Sequence, residues 1–302
     1  MYDILVIGGG PAGLTAALYA RRQNKSVLVL EKNSFGGQTV FSPKIENYPG
    51  FKEMSGMEFS DLLVDQVLAQ GADLEMEEAL SITDNGETKI VVTENGSFEA
   101  RSVIVAGGAR HRMLGLEGEE NYVGNGISFC AVCDGAFYKE KTVAVIGGGN
   151  SALQEALLLS ETCKTVHIVQ NLATMTGEDA LVKALEAKDN VTMTFHTVVD
   201  ALIGEDALSA LRLKNTETGI LTTLPIDGMF VAIGLIPDND AVKDTVLLDE
   251  RGYILSDESC LTNIPGIFAA GDCRTKAVRQ IATAIADGAS AALAACKYLE
   301  NR

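Results

Sequence analysis

The chain has 302 residues, of which 47% are hydrophobic, and it carries a formal net charge of −17 at pH 7. This length is sufficient for two domains with separate cores, and this composition excludes a wholly disordered chain. The negative charge argues against binding to nucleic acid or to anionic membranes. No apolar run approaches the ~20 residues of a membrane span, and the chain starts directly in a strand without a charged leader, so we expect a cytoplasmic protein.

The first segment predicts a nucleotide-binding unit. A strand over 4–7 runs into Gly8-Gly9-Gly10-Pro11-Ala12-Gly13, a helix follows over 14–23, and the strand 27–30 ends at Glu31. The glycines permit a tight turn and let backbone N–H groups approach a pyrophosphate at the helix N-terminus. Glu31 is placed to bind ribose hydroxyls.

The next elements predict the rest of this unit. Apolar residues at helical spacing indicate a helix over 57–70, and alternating segments around a turn at 84–86 indicate a β-meander over 80–100. A short buried strand then ends in Ala106-Gly107-Gly108. Arg110-His111-Arg112 is the densest basic cluster in the acidic chain, and it is either a solvated loop end or a docking patch.

The pattern then restarts. A strand over 143–146 leads into Gly147-Gly148-Gly149-Asn150-Ser151-Ala152, followed by a helix to 161 and a strand over 166–169. We therefore predict an α/β fold with two Rossmann-like (three-layer ββα) dinucleotide-binding domains. Gly271-Asp272 and a helix over 282–298 need a core to pack on. They are expected to complete a discontinuous first domain, 1–115 and 243–302, around a second domain, 116–242.

The second nucleotide turn lacks the side chains that select a nucleotide. Val169 is followed by Gln170 rather than by an acid for a ribose 2′-hydroxyl. Between Val169 and Arg212 the chain has no arginine that could bind a 2′-phosphate. The pattern therefore predicts the fold of a dinucleotide site without the charges that distinguish NAD from NADP.

Two of the six cysteines form a pair in the sequence, Cys130-Ala131-Val132-Cys133. Thiols at this spacing can form and break a disulfide and so hold two electrons. A structural zinc would need two further ligands, and the three histidines are dispersed, so no metal site is predicted. Asp134 follows as a proton donor and acceptor, or as part of a turn-forming Asp-Gly. The remaining cysteines are expected to be buried apolar residues: Cys163, Cys260, Cys273 and Cys296.

Taken in order, these motifs resemble the low-molecular-weight, bacterial-type thioredoxin reductase family over essentially the whole chain. The resemblance is carried by 8–13, Gly36-Gly37-Gln38, 45–50, Cys130-x-x-Cys133-Asp134-Gly135, 147–152, 228–237, Gly271-Asp272 and Arg279-Gln280. It implies an FAD-dependent disulfide oxidoreductase whose FAD lies in the discontinuous domain. The residues implied to bind FAD are Gly8, Gly10, Pro11, Ala12, Gly13, Glu31, Lys32, Gly37, Gln38, Asn47, Ala106, Gly107, Gly271, Asp272, Arg279, Gln280 and Ile281.

The resemblance also implies roles for the dithiol. Cys133 is the flavin-proximal thiol, Cys130 attacks the disulfide of a thioredoxin-like partner, and Asp134 completes the catalytic set. The family is usually homodimeric and swings its two domains between states. The second, nucleotide-type site is implied at Gly147, Gly149, Asn150, Ser151, Ala152 and Gln170.

The chain departs from the family pattern at the electron donor. Members that use NADPH carry a His-Arg-Arg run and a further Arg after the strand that ends here at Val169, whereas this chain has Gln170, Asn171, Leu172 and Thr176. Each missing charge-assisted contact is worth about 1.5–3 kcal/mol, so NADPH is not the expected donor.

This departure resembles the pyridine-nucleotide-independent branch of the family in anaerobic bacteria, and ferredoxin is the favoured donor. The alternatives are a second FAD in the degenerate site, use of NADPH or NADH despite the missing arginines, a thiol oxidase that runs the chemistry in reverse with oxygen, and a non-enzymatic flavin redox sensor.

Overall fold

A computed structural model of the chain describes residues 1–42 and 44–302. In chain order the strands are β1 (Tyr2–Ile7), β2 (Val27–Leu30), β3 (Asp73–Glu75), β4 (Ala79–Asp84), β5 (Lys89–Thr93), β6 (Ser97–Val105), β7 (Ala109–His111), β8 (Ile127–Ser128), β9 (Thr142–Ile146), β10 (Thr165–Val169), β11 (Val191–Thr194), β12 (Thr197–Gly204), β13 (Leu208–Asn215), β14 (Leu221–Pro225), β15 (Gly228–Val231), β16 (Leu235–Pro237) and β17 (Ile267–Ala269). The α-helices are α1 (Pro11–Arg22), α2 (Gly56–Ala69), α3 (Ala131–Asp134), α4 (Asn150–Ser160), α5 (Asp179–Glu186) and α6 (Ile281–Glu300). Within the described residues, none of these helices is long and apolar enough to cross a membrane.

The chain divides into two compact units. Unit 1 comprises Met1–Arg110 and Ile236–Arg302, and unit 2 comprises His111–Leu235. The chain passes between the units at β7 and β16, which form a separate two-stranded sheet. The domain boundaries expected from the sequence lie a few residues later in the chain at both passages.

Unit 1 is built on a sheet of order β3-β2-β1-β6-β5-β4, with β17 also paired to β6. The strands β2, β1, β6 and β17 run parallel, whereas β4, β5 and β6 form an antiparallel meander. Strand β1 is buried on both faces, as is usual for a parallel strand covered by two layers. Ile4 and Val6 pack with α1 and α6, and Leu5 packs with Ile82 and Val91 of the meander.

Unit 2 repeats these three layers with different strands. Its parallel sheet has the order β11-β10-β9-β15-β8, and an antiparallel meander has the order β12-β13-β14. Val143 and Val145 of β9 pack with α4, whereas Ala144 and Ile146 pack with the meander residue Leu211. The predicted α/β fold with two Rossmann-like ββα domains, the first of them discontinuous, is confirmed.

The helix boundaries follow from capping and from close packing. Helix α1 begins at Pro11 rather than at the expected residue 14, because proline is favoured in the first helical turn, where its missing N–H is not needed. Ser55 and Glu58 form a capping box that starts α2. The C-terminal helix is rich in small residues because it lies directly on α1, and a Cβ at Gly288 would overlap the carbonyl oxygen of Ala12.

Candidate active site

The first glycine turn lies between β1 and α1. Gly8 has φ +105°, a left-handed value that a side chain disfavours, and its N–H donates to the carbonyl of Leu30 at 2.8 Å. This bond brings the end of β2 beside the turn. The buried carboxylate of Glu31 then accepts from Gly9 N–H at 2.7 Å with Oε2 and from Asn33 N–H at 2.9 Å with Oε1.

Other predicted residues of unit 1 collect around this turn. Gly36 donates its N–H to the carbonyl of Gly9 at 2.8 Å, which places Gly37 and the exposed Gln38 at the turn. Ala106 donates to the carbonyl of Ile7 at 2.7 Å, and Gly107 follows it. A Cβ at Gly271 would lie 2.8 Å from the Cβ of Ala12. Segments far apart in the sequence therefore meet at one place.

Asp272 is the acidic residue of this cluster. Burial raises the pKa of its carboxyl group. Its Oδ1 is buried and has no hydrogen-bond partner among residues 1–42 and 44–302. A buried oxygen of this kind is normally satisfied by a donor, so Asp272 is suited to accept a hydroxyl of a bound polyol or ribose.

The start of α6 brings in the last predicted residues. Gln280 caps the helix immediately before Ile281, and its Oε1 accepts from Asn47 Nδ2 at 3.3 Å. The guanidinium of Arg279 lies 4.2 Å from the ring centroid of Tyr253.

Two cationic side chains near this cluster already have partners. Arg279 donates to three main-chain carbonyl oxygens, those of Asp272, Arg274 and Lys276. Lys32 forms ion pairs with Asp238 at 2.7 Å and Glu78 at 3.2 Å. The loop between Asp272 and α6 is therefore held by Arg279, and a contact of either cation with FAD stays a prediction.

These residues fit an FAD. Gly8, Gly10 and Gly13 leave the backbone at the start of α1 free of side chains, Glu31 lies at the position that binds adenosine ribose, and Asp272 offers an unused acceptor. Bound FAD would supply the two-electron chemistry that a disulfide requires. The individual contacts remain predictions.

The dithiol lies in unit 2, directly after β8. Cys130 and Cys133 are joined in a disulfide with Cα atoms 5.3 Å apart. The single turn α3 holds this geometry, because the N–H groups of Cys133 and Asp134 both donate to the carbonyl of Cys130, at 3.2 and 3.0 Å. Cys133 N–H also lies 3.2 Å from Cys130 Sγ, where it can stabilise a thiolate.

Asp134 is half-buried beside the dithiol segment. Burial raises the pKa of its carboxyl group, and a hydrogen bond from Ser128 acts in the opposite direction. Ser128 Oγ donates to Asp134 Oδ2 at 2.6 Å. Sequence reasoning missed Ser128, although a hydroxyl at the end of a buried strand next to a redox pair was a usable signal.

His111 was predicted to lie in a solvated loop end or in a docking patch, and this prediction is wrong for His111 itself. The residue ends β7, and its imidazole stacks on the ring of Phe129 with centroids 4.6 Å apart. Burial lowers the pKa of His111 to about 4, so this side chain is neutral near pH 7. The flanking Arg110 and Arg112 are exposed, as the prediction requires.

The second glycine turn repeats the backbone of the first. Gly147 has φ +131°, and its N–H donates to the carbonyl of Val169 at 3.0 Å. Gln170 therefore occupies the position of Glu31. Its amide is buried and bonds within its own loop, with Oε1 accepting from Asn171 N–H at 3.0 Å and Nε2 donating to the Thr174 carbonyl at 3.1 Å.

The loop after β10 closes onto this turn. The carbonyl of Gly148 accepts from the N–H groups of Thr176 at 2.8 Å and Gly177 at 3.0 Å. Asn150 bonds both the backbone and the side chain of Glu178. Gly149 precedes α4, and Ser151 and Ala152 lie in its first turn. All six predicted residues of the second site therefore lie at one turn.

The other cysteines are buried and free, as expected. Cys273 illustrates why they are unreactive, because burial raises the pKa of its thiol to about 12. Among the described residues, no group of three or more His, Cys, Asp or Glu side chains is arranged to hold a metal ion.

A fold of two ββα nucleotide domains and a disulfide at the dithiol position define the class of the flavin-dependent disulfide oxidoreductases. The family model of the pyridine nucleotide-disulphide oxidoreductases matches residues 2–288. Thioredoxin reductase of Listeria innocua is 39% identical over 302 residues, which are 100% of this chain and 95% of that protein.

Two further proteins extend the similarity. The crystal structure of thioredoxin reductase from Streptococcus pyogenes MGAS5005 has a TM-score of 0.95 and 40% identity, and the match covers 100% of this chain and 99% of that one. A bifunctional thioredoxin reductase/thioredoxin of Mycobacterium leprae is 41% identical over 303 residues, which cover 99% of this chain and 66% of that protein. The chain belongs to the pyridine nucleotide-disulphide oxidoreductase family and is a thioredoxin-reductase-like, FAD-dependent enzyme.

Proposed function

We propose that this enzyme reduces a thioredoxin-like protein disulfide through Cys130 and Cys133, with electrons that reach bound FAD from a donor other than NADPH. Cys133 is the thiol nearer the flavin, Cys130 attacks the partner disulfide, and Asp134 accepts and donates the proton. The thioredoxin reductase names of the relatives support a thioredoxin-like partner, as does the fusion to thioredoxin in the Mycobacterium leprae protein. As the family resemblance implies, we expect a homodimer.

The loop over 170–179 carries the argument about the donor. It contains no lysine or arginine, and it contributes Glu178 and Asp179. A 2′-phosphate would meet carboxylates in place of the guanidinium groups that normally bind it. Gln170 also lacks the negative charge of a ribose-binding acid, and its amide bonds Asn171 and Thr174.

Ferredoxin is the favoured donor, because a one-electron protein donor needs a docking surface rather than a nucleotide pocket. The difficulty is charge, since the chain carries −17 and ferredoxins are usually acidic. Arg110 and Arg112 are exposed and supply local positive charge. Association that depends on these two side chains should weaken as salt is added.

A second candidate is a diflavin enzyme, which is favoured because the Gly147 turn has the same backbone conformation as the Gly8 turn. The turn keeps its left-handed glycine, and Leu153 donates to the carbonyl of Gly149 at 3.1 Å to begin α4. A pyrophosphate of any dinucleotide can use such a turn. The flavin-to-polypeptide ratio after acid release separates the two proposals, because a single flavin gives a value near one and a diflavin enzyme gives a value near two.

The donor is tested by anaerobic stopped-flow mixing of the oxidised flavoprotein with NADPH, NADH or reduced ferredoxin, with the flavin absorbance as readout. We expect rapid reduction by ferredoxin and none by micromolar NADPH. Rapid bleaching by NADPH would overturn the proposal.

A gain-of-function variant sharpens this test. The quadruple variant Gln170→His, Asn171→Arg, Leu172→Arg and Thr176→Arg restores the cations, and its three arginines replace exposed side chains. Reduction by NADPH should accelerate by about a hundredfold, since several charge-assisted contacts are gained. NADH, which lacks the 2′-phosphate, is the control and should show no comparable gain.

A further inference from the structure

One buried side chain links the carboxylate of Asp134 to the backbone of the dithiol. Ser128 is the last residue of β8 and is 4% exposed. Its hydroxyl donates to Asp134 Oδ2 at 2.6 Å and accepts from the N–H of Cys130 at 3.2 Å. A serine hydroxyl has a single proton to donate, so the bond to Asp134 uses it, and the oxygen lone pair takes the amide of Cys130.

This arrangement treats the two oxygens of Asp134 differently. Oδ2 is held by Ser128, whereas Oδ1 is buried and has no hydrogen-bond partner in the described part of the chain. Because Oδ2 is anchored, the carboxylate cannot rotate freely, and Oδ1 stays available as a proton acceptor. Leaving a buried acceptor unused is costly, and a catalytic role is one reason for which a folded protein retains such a group.

We propose that Ser128 is a positioning residue for thiol–disulfide exchange, which orients Asp134 so that Oδ1 takes the proton of the Cys130 thiol and returns it to the leaving sulfur of the partner. This inference rests on the proposed function, because it assumes that Cys130 attacks a partner disulfide.

The exchange balances as follows. The thiol proton of Cys130 moves to Asp134, and the Cys130 thiolate attacks one partner sulfur, so that a mixed disulfide forms and the partner disulfide breaks. The released partner sulfur takes the proton from Asp134. Cys133 then attacks Cys130, the Cys130–Cys133 disulfide re-forms, and the second partner sulfur leaves with the proton of Cys133. Two electrons pass from the dithiol to the partner.

The leaving group provides a test that a structural role would not satisfy. A weakly basic leaving thiolate departs without a proton, whereas a basic aliphatic thiolate needs one. The pre-reduced, full-length flavoprotein is therefore mixed with the nitrobenzoate disulfide DTNB and, separately, with oxidised glutathione. The measured quantity is the ratio of the glutathione rate constant to the DTNB rate constant.

Ser128→Ala should lower this ratio by about tenfold, Asp134→Asn should lower it by about a hundredfold, and Ser128→Thr, which keeps the hydroxyl, should restore it. Without the Ser128 hydroxyl, nothing opposes the effect of burial on the pKa of Asp134, so this pKa should rise. The acidic limb of the profile of rate against pH should therefore move to higher pH. Ser160→Ala is the matched control, because Ser160 is a buried serine of the same unit whose hydroxyl donates to the carbonyl of Leu157 and lies outside the dithiol segment.

Four results overturn the inference. The first is a Ser128→Ala variant that keeps both the wild-type ratio and the wild-type pH profile. The second is a Ser128→Ala variant that slows the reduction of both disulfides equally, since the hydroxyl would then be only structural. The third is an Asp134→Asn variant that keeps the wild-type ratio, because Asp134 would then not carry the proton and Ser128 would have no catalytic group to orient. If the wild-type enzyme reduces neither of these disulfides nor oxidised thioredoxin, the proposed function itself is refuted, and this failure is already visible in the parent protein.

Discussion

The two glycine turns of this molecule have the same backbone and different side chains at their rims. Gly8 and Gly147 both take left-handed φ values, and both donate to the carbonyl that ends the next strand, at 2.8 and 3.0 Å. In unit 1 the next residue is Glu31, whose carboxylate is bonded to the turn. In unit 2 it is Gln170, whose amide is bonded to its own loop.

This comparison distinguishes the residues that the fold requires from the residue that bears on which ligand binds. The left-handed glycine and the helix start are required for a strand to turn into a helix at close range, so they persist whether or not a nucleotide binds. The residue after the second strand bonds nearby backbone groups in both units, but its charge differs between two turns of the same backbone, so we expect that charge to bear on the choice of ligand. We therefore expect unit 1 to bind a dinucleotide, whereas unit 2 has the backbone of such a turn without an acidic residue at its rim.

The largest expected effect comes from the third small residue of each turn. A Cβ at Gly13 would overlap the carbonyl oxygen of Gly8, whereas unit 2 has Ala152 at the matching position. Gly13→Ala should lower the free energy of unfolding by about 3 kcal/mol or more, because the backbone must move, and it should reduce bound FAD. Denaturant unfolding and flavin content per chain measure both effects.

The reciprocal change is the control. Ala152→Gly should cost only about 1 kcal/mol, the usual penalty of glycine in a helix, and should leave the flavin content unchanged if unit 2 holds no flavin. Equal losses in the two variants would show that the two turns are under the same constraint and would remove the distinction drawn above.

The helices after the two turns differ at a position that is fully buried in α1 and partly buried in α4. Ala16 of α1 is fully buried, and its counterpart in α4 is Glu155, whose Oε2 lacks a hydrogen-bond partner among the residues described. Burial raises the pKa of Glu155 from 4.5 to about 8. The folded state therefore holds a proton that the unfolded state releases between these values, and stability falls as pH rises through this window, by at most about 1.4 kcal/mol per pH unit.

Glu155→Gln, which is neutral at every pH, tests this contrast. The variant should match the wild type at about pH 4 and should be more stable by about 2 kcal/mol at about pH 9, as measured by chemical denaturation. This is less than the limit of about 5 kcal/mol for the full pKa shift, because Glu155 is only partly buried. Glu186→Gln, at an exposed position of α5 in the same unit, should show no such divergence. Parallel stability curves for Glu155→Gln and the wild type would mean that Glu155 stays charged at little cost.

The sequence predicted the features that depend on local pattern. Alternating apolar strands, the glycine turns and the Cys130/Cys133 spacing all act over a few residues, so they predicted the two ββα domains and the position of the disulfide. The pairing of Asn47 with Gln280 was beyond such a pattern, because only the complete fold brings these residues together. The prediction that both residues contribute to the FAD site was implied by the resemblance to the family.

The features that the sequence did not predict are side-chain contacts made by folding. Ser128 reaches Asp134 because the chain bends at Phe129 between β8 and α3, and His111 at the end of β7 stacks on the ring of Phe129. The contact of His111 leaves no periodic or compositional signal, and the one signal for Ser128 is its position between a buried strand and the redox pair. The unsatisfied oxygen of Glu155 is equally invisible, since a glutamate on a helix is usually exposed.

The smallest expected effect concerns the residue that first distinguished the two turns. Glu31→Gln removes one of the two acceptors that hold Gly9 and Asn33, together with the charge assumed to bind the ribose, so the affinity for FAD should fall by about tenfold. Gln170→Glu should not alter FAD binding, because its amide bonds only its own loop. Fluorescence titration of the apoprotein with FAD measures both constants. A weaker FAD affinity in Gln170→Glu alone would place a flavin at the second turn and reverse the assignment of ligand sites to the two units.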